Sequence, residues 1–580
     1  MTELFEPTDA ADRRLVQGAA GLLGDFNRAG VLSAADVHVA ERTGELAGDD
    51  DAEVRLAVAL AVRAVRHGSV GVDLDAVRAI APDLAWPAPT PWADRVAASA
   101  LLESGVLQQE HGLVYLDRYH RLERQVADDV LARSRQVPPV VDEQRLADGL
   151  SAVRDDHLSE AQEAAAVAAV RHWTTVVTGG PGTGKTTTVA RLLALLALQS
   201  DRPPAVALTA PTGKAAARLA EAVAEEMPDA VRDRVGSPAA MTLHRLLGWR
   251  RDNTTRFRHD RGNRLKYDVV VVDECSMVDL TLMARLLEAV RPDTRLVLVG
   301  DPRQLTSVGA GAVLSDLVEG LRTLPGAAVR ELVTNYRSAV DIQHVAEALR
   351  DAGSGDADGV LAALRVDSDQ VRFVETDDPE QELRPGLVAH ALRIRERAAA
   401  GDVTGSTGLL EEFRLLCAHR EGPRGVRHWN RLVEQWLAEE TGQAIWSPWY
   451  VGRPLLVTAN DYALQVYNGE TGVAVATDGR LRAWIDGAGG TTELAPGRLD
   501  AVDTMHALTI HKSQGSQADE VVVLLPEEGS RLLTRELFYT AVTRARDRLR
   551  VVGSEAAVRA AVATRAQRAT GLRQRLDDET

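Results

Sequence analysis

One stretch of nine residues constrains this chain more than any other: GGPGTGKTT at 179–187. An apolar, β-rich run, TTVVT (174–178), precedes it, and a helical run, TTVARLLALLAL (187–198), follows. Gly179, Gly184, Lys185 and Thr186 satisfy the spacing G-x-x-x-x-G-K-[ST]. Glycines let the backbone turn its N–H groups onto phosphate oxygens, and the helix N-terminus adds its partial positive charge. Gly179, Gly180, Pro181, Gly182, Thr183, Gly184, Lys185, Thr186 and Thr187 are therefore expected to cradle ATP. Lys185 would reach the β/γ-phosphates as a compact charge, and the Thr186 hydroxyl would take a Mg²⁺ position. Alone, the motif says only that the chain handles a nucleoside triphosphate.

The rest of the chain supplies a sheet for this loop. Short apolar runs at 205–210, 268–273 and 295–301 alternate with helical stretches, the pattern of a parallel sheet with crossover helices. A second set at 413–418, 520–525 and 549–553 makes two α/β domains. A helical stretch, 340–405, lies between them, and Gly-rich turns with short strand-like pieces at 451–500 suggest a small β insertion. Residues 1–150 read as helical, with apolar residues at helical spacing in 53–68 and 91–107.

The nucleotide site needs a second half. VVVVDECSMVD (269–279) ends a strand in two carboxylates. Asp273 can hold Mg²⁺ through water, and Glu274 can take a proton from the attacking water. Gln304 follows the next strand, at the edge where open α/β sheets bind ligands. It reads either as a γ-phosphate sensor or as an ordinary loop glutamine.

Composition removes other classes. Two distant cysteines, Cys275 and Cys417, exclude a disulfide framework and a zinc ribbon. The polar N-terminus is no signal peptide, and no apolar run reaches the ~18 residues of a membrane span, so a cytoplasmic protein is expected. Net charge is −17, yet residues 1–150 hold 25 acidic and 15 basic groups, so the acidity is concentrated there. Lysine is scarce: only Lys185, Lys214, Lys266 and Lys512 stand among 67 basic residues. For Lys185 the reason is physical, because a broad guanidinium does not fit a pocket shaped for a point charge.

Further segments, in order, resemble the motifs of superfamily 1 helicases, and their wording is close to the RecD family of superfamily 1B. LSEAQEAAA (158–166) resembles the Q-motif, TAPTGKAAARL (209–219) motif Ia, and TLHRLLG (242–248) the segment before the family's hairpin. DECSMVD resembles motif II, GDPRQLTSVGAGAVLSDL (300–317) motif III, and LVTNYRS (332–338) motif IV. LTIHKSQGSQADEVVVLLP (508–526) resembles motif V, and YTAVTRAR (539–546) motif VI. The resemblance covers about 157–553, roughly two-thirds of the chain. It implies two RecA-like, P-loop motor domains of α/β class with ATP between them, at 150–335 and 336–580. It also implies a helical N-terminal docking domain (1–140), a basic hairpin near 249–266 and an SH3-like insertion near 451–505. Gln162 would read the adenine, and Arg337 and Arg544 would be arginine fingers. Without the resemblance, nothing separates Arg544 from Arg546 or Arg548. Where the family carries an acidic ribose ligand, this chain has Gln517, which keeps a hydrogen bond but loses the charge.

The DNA contacts implied are Pro211, Thr212 and Lys214 in motif Ia, Thr242 and His244, and His511 and Lys512 in motif V. Residues 241–266 add seven arginines and one lysine against two aspartates, with Trp249 and Phe257 interleaved. Basic groups track phosphates while aromatic rings stack on bases. Asn460, Tyr462, Tyr467 and Asn468 read equally as contacts or as turn chemistry. The acid pairs Asp128/Asp129 and Glu411/Glu412 read as solvated faces, so a motor without its own nuclease is expected.

VYLDRYHRLERQVADDV (114–130) resembles the RecD that serves as the α subunit of exodeoxyribonuclease V, whose N-terminal domain docks onto RecC. The expectation is therefore a 5′-to-3′ DNA helicase partnered by RecB and RecC at double-strand ends. A stand-alone RecD-like helicase and a DNA-stimulated ATPase switch are the alternatives.

Overall fold

The computed structural model describes residues 4–578 except 6–8, 10, 155–158, 237, 251–252, 325, 337, 354–355, 377, 462 and 488–489, with the side chains of 230 and 253–255 also outside the description. Two parallel sheets dominate. The first runs Ala327–Leu332, Thr174–Gly179, Arg295–Gly300, Val269–Val272, Val206–Ala210 and Ala239–Thr242 in spatial order. All of its pairings are parallel. Its central strands are buried throughout, which is why they read as unbroken valine runs rather than as alternation. The second sheet is ordered Val371–Val374, Ala545–Val552, Ala518–Leu524, Phe413–Cys417 and Ala507–Thr509, again parallel. Its edge strand, Val371–Val374, lies inside the stretch read from sequence as helical.

The insertion is a five-stranded antiparallel sheet built from Pro454–Val457, Thr471–Thr477, Arg480–Gly487, Gly490–Leu494 and Val502–Thr504. The pair Trp249–Arg250 and Asn253–Phe257 forms a short antiparallel hairpin on the first α/β domain.

Two expectations are corrected. The N-terminal region is not purely helical. Its helix Ala52–Arg66, capped by the Asp51 side chain on the N–H groups of Glu53 and Val54, packs over a sheet of Gly71–Asp73, Leu113–Leu116 and Leu107–Glu110. The helical run expected at 91–107 divides into Pro89–Ala97 and Ala100–Glu103, then becomes strand. Nor does the chain end on the second α/β domain. After Glu555–Ala563 it crosses back, and Leu572 and Leu576, both fully buried, enter the core of the first.

That core has no seam against the N-terminal region. Leu122, Val126 and Val130, one helical turn apart on Asp117–Ser134, pack with Met283 and Leu286 of Leu280–Ala289. At the helix end the Arg133 guanidinium is buried. It donates to Thr174 Oγ1 (2.9 Å) and to the carbonyls of Arg291 (3.0 Å), Trp173 (2.8 Å) and Thr294 (2.6 Å). A buried charge needs such partners, and here they lock the N-terminal region to the ends of two sheet strands.

Candidate nucleotide and DNA site

The loop 179–184 turns tightly between its strand and the helix Lys185–Leu198. Gly184 has φ +75°, so the backbone demands glycine, and a Cβ there would also meet the Gln162 amide at 2.1 Å and push that side chain aside. Lys185 Nζ donates to the carbonyls of Gly179 and Gly180, each at 2.8 Å, and Thr183 Oγ1 donates to Gly180 O at 2.9 Å. The loop is thus already wound around the lysine.

A cleft of about 1320 Å³ opens above it, between the two α/β domains. The first domain lines it with Gln162, Lys185, Thr186, Thr187, Asp273, Glu274 and Gln304, and the second with Gln517, Arg544 and Arg546. Residues from distant parts of the sequence therefore converge on one space. Glu274 sits at φ +49°, a left-handed conformation that costs a side-chain-bearing residue energy and recurs at functional sites. Asp273 is pushed above the usual carboxylate range by burial and by Glu274 beside it, against the pull of Lys185. Cation binding there would restore the charged form.

Arg544 and Gln304 meet across the cleft. Both are buried, and Arg544 Nη2 donates to Gln304 Oε1 at 2.9 Å. Arg544 is fixed from behind by Thr540 O (3.0 Å) and Ser516 O (3.3 Å), while Gln304 Nε2 donates to Asp301 at 3.1 Å. This geometry separates the three arginines that sequence could not. Arg546 borders the cleft but pairs with Asp519 at 3.2 Å, and Arg548 is exposed and pairs with Glu520. Arg337 lies outside the described residues, as do Tyr462 and Arg251.

Gln162 is buried, and its amide is engaged at both ends. Its Oε1 accepts from Ser159 N (3.0 Å) to cap its own helix, and its Nε2 reaches Thr183 O (3.4 Å). Gln517 is buried with Nε2 toward Thr543 O at 3.4 Å. Among the cleft residues that sequence reading did not single out are Tyr336, whose N–H donates to Gly182 O at 2.9 Å, Arg191 and Arg218. Tyr336 and Arg218 lie inside the segments resembling motifs IV and Ia, whereas for Arg191 only the place in the fold marks it.

The expected DNA contacts divide. Thr212 and Thr242 cap helices, accepting from Ala215 N (3.2 Å) and Arg245 N (3.3 Å), and Pro211 lies beside the first. Lys512 pairs with Asp503 of the insertion at 3.1 Å, next to the half-buried His511. Lys214 Nζ approaches Thr471 Oγ1 (3.4 Å) and Glu411 (4.0 Å), and burial beside Arg414 and Arg218 lowers its pKa to about 7. It therefore bridges the two domains rather than standing free. Tyr467 packs against Gly213 in the same seam, and Asn460 accepts from Asn468 N as turn chemistry.

Further corrections concern the basic segment and the acid pairs. Phe257 is buried in the first core, against the exposed His244 at 5.8 Å between ring centroids, so it offers no face for a base. Trp249 is half-buried on the same core. Arg261 pairs with Asp129 at 2.7 Å, which removes one free charge and one supposedly solvated acid. Glu411 is not a solvated face either: it accepts from Arg218 across the cleft at 2.6 Å and lies 3.7 Å from Arg546.

Comparison with known proteins agrees with this assembly. Residues 28–147 match the N-terminal domain model of the RecBCD enzyme subunit RecD, 162–310 an AAA domain, and 504–552 the UvrD-like helicase C-terminal domain. The chain is similar to the RecBCD enzyme subunit RecD of Mycobacterium tuberculosis, at 57% identity over 571 residues covering 96% of this chain and 97% of that one. It is also similar to that of Mycolicibacterium smegmatis, at 58% over 558 residues, 94% of this chain and 98% of the relative. The ATP-dependent RecD2 DNA helicase of Deinococcus radiodurans is 32% identical over 524 residues, 84% of this chain but 64% of its own length. Among the described residues no helix is long and apolar enough to cross a membrane.

Proposed function

Because the chain belongs to the RecD family of RecBCD enzyme subunits, we propose that it is an ATP-driven, 5′-to-3′ DNA helicase that works with RecB and RecC at double-strand DNA ends. The observation that carries the motor reading is the Arg544–Gln304 hydrogen bond across the cleft above the Lys185 loop. Mg²⁺·ATP, when bound, supplies the phosphoryl group and the charge neutralisation for its transfer. Lys185 would exchange the Gly179 and Gly180 carbonyls for the phosphates, and Thr186, with Asp273 through water, would hold the metal. Glu274 takes the proton of the attacking water at its carboxylate. Arg544, coming from the opposite domain, completes the site only when the cleft is closed, which ties hydrolysis to domain movement. Adenine recognition by Gln162 requires its amide to exchange the Thr183 carbonyl for the base.

The N-terminal match to RecD and the near-complete coverage of RecD relatives favour the RecBCD assembly over a stand-alone helicase. Lys185→Ala is expected to abolish both ATP hydrolysis and strand separation while leaving assembly with RecB- and RecC-like chains intact. Wild-type unwinding by that variant would overturn the motor reading. A wild-type chain that unwinds DNA alone, and stays monomeric when co-expressed with those chains, would overturn the subunit reading.

A further inference from the structure

The segment 304–311 is held along its length by the second α/β domain and its C-terminal extension. Gln304 accepts from Arg544, Leu305 N donates to Thr540 Oγ1 (2.9 Å), and Leu305 O accepts from Gln514 (2.8 Å). The next contacts come from Arg568, in the strap that follows Glu555–Ala563. Its guanidinium donates to the carbonyls of Gly309 (2.6 Å), Gly311 (3.0 Å) and Ser307. The first domain also holds the loop, where Leu280 N donates to Ala310 O (3.0 Å) and Ser307 Oγ to Gly309 O (3.2 Å), while Val308 at its tip is 86% exposed. The strap itself is anchored independently. Leu572 and Leu576 are buried in the first core, and Val70 N donates to Ala569 O at 2.8 Å. The far side of the loop also meets the N-terminal region, where Gly311 N donates to Gly68 O at 2.9 Å.

We propose that Arg568 is a positioning residue for ATP hydrolysis: by fixing the loop 307–311 it sets the register of Gln304 opposite Arg544. One cation satisfies three main-chain carbonyls within five residues, and the first of these lies only three residues beyond Gln304. Three residues span at most ~10 Å, so a shift of the loop is felt at the glutamine. The same junction links the N-terminal region to the cleft, so a partner bound to that region can act on hydrolysis through this loop. The inference rests on reading Gln304 and Arg544 as groups that act on the γ-phosphate.

The test is a steady-state comparison in the full chain, kept with any partner subunits that co-purify. Arg568→Met retains the side-chain stem and leaves the strap's other anchors in place. It should lower DNA-stimulated kcat by about ten- to hundredfold, the scale of a sub-ångström to ångström misplacement. KM for ATP should barely move, and the unfolding temperature should fall by only a few degrees as the three hydrogen bonds are lost. Arg568→Lys, with three donors, should recover part of the rate. In a Gln304→Ala background, Arg568→Met should cost nothing further. A double variant slowed by the product of the two single losses would overturn the proposal. So would a wild-type rate for Arg568→Met beside a slow Gln304→Ala. A wild-type rate for Gln304→Ala would instead sink the reading of the site, and this inference with it.

Discussion

Arg544→Lys is the sharpest test of the cleft, because the charge stays and only the geometry of its donors changes. The guanidinium carries five N–H groups, and four are already committed. Nε donates to Thr540 O (3.0 Å), Nη1 to Ser516 O (3.3 Å), and Nη2 to Gln304 Oε1 (2.9 Å) and Thr543 Oγ1 (3.3 Å). A lysine ammonium on a flexible stem cannot span acceptors arranged around a planar group. Burial holds the Arg544 pKa below the ordinary arginine value, with Glu274 and Asp301 pulling the other way. Loss of an arginine finger costs ~10³–10⁵ in rate. At ~1.36 kcal/mol per decade this is about 4–7 kcal/mol of transition-state stabilisation. With the charge retained, kcat should fall by the lower figure, about 10³-fold. Nucleotide affinity should change far less, because the loop around Lys185 is untouched. Phosphate release at saturating single-stranded DNA gives the first quantity, and equilibrium titration with a fluorescent nucleotide gives the second. Arg548→Lys, at an exposed position paired with Glu520, serves as the control and should stay near wild type. The reasoning is refuted if Arg544→Lys keeps kcat within about tenfold of wild type; a loss confined to nucleotide affinity, with kcat unchanged, would mean uniform binding instead.

Two further predictions concern residues that are structural in the fold. Phe257→Ala removes a buried aromatic ring and should cost about 3–5 kcal/mol, seen as a lower unfolding temperature. Phe257→Leu, which keeps most of the volume, should bind single-stranded DNA as wild type does; a stable Leu variant with lost affinity would restore Phe257 as a base platform. Asp316 accepts from Thr570 at 3.0 Å, and burial, with Glu123 nearby, raises its carboxyl to about 7. A raised folded pKa means that the native state binds the extra proton between about pH 4 and 7, so its contribution to stability is lost as pH rises through that window. Thermal melts from pH 5 to 8 should show Asp316→Asn with a flatter profile than wild type, and parallel profiles would contradict the assignment.

What the sequence revealed about the site follows the chemistry of its ligand. A phosphate cradle demands particular glycines, a lysine and a hydroxyl at fixed spacing, so 179–187 and the Asp273–Glu274 pair, which the fold brings to one cleft, could be singled out from residues alone. The two parallel sheets were legible because strands buried on both faces must be apolar throughout. Phe257 was misread because a strand side chain faces core or solvent according to a one-residue register that composition does not carry. The lysine shortage was informative at Lys185, where a point charge is needed, and less so at Lys214, which the fold places in the seam beside Glu411 and Thr471. Arg133 and Arg568 were invisible for a related reason. They are two among dozens of arginines, and their acceptors are mostly backbone carbonyls, which every residue possesses. Pattern reading finds sites where side chain meets ligand. It passes over places where a side chain organises backbone, as Arg133 does between the N-terminal region and the sheet ends and Arg568 does between the C-terminal strap and the loop behind Gln304.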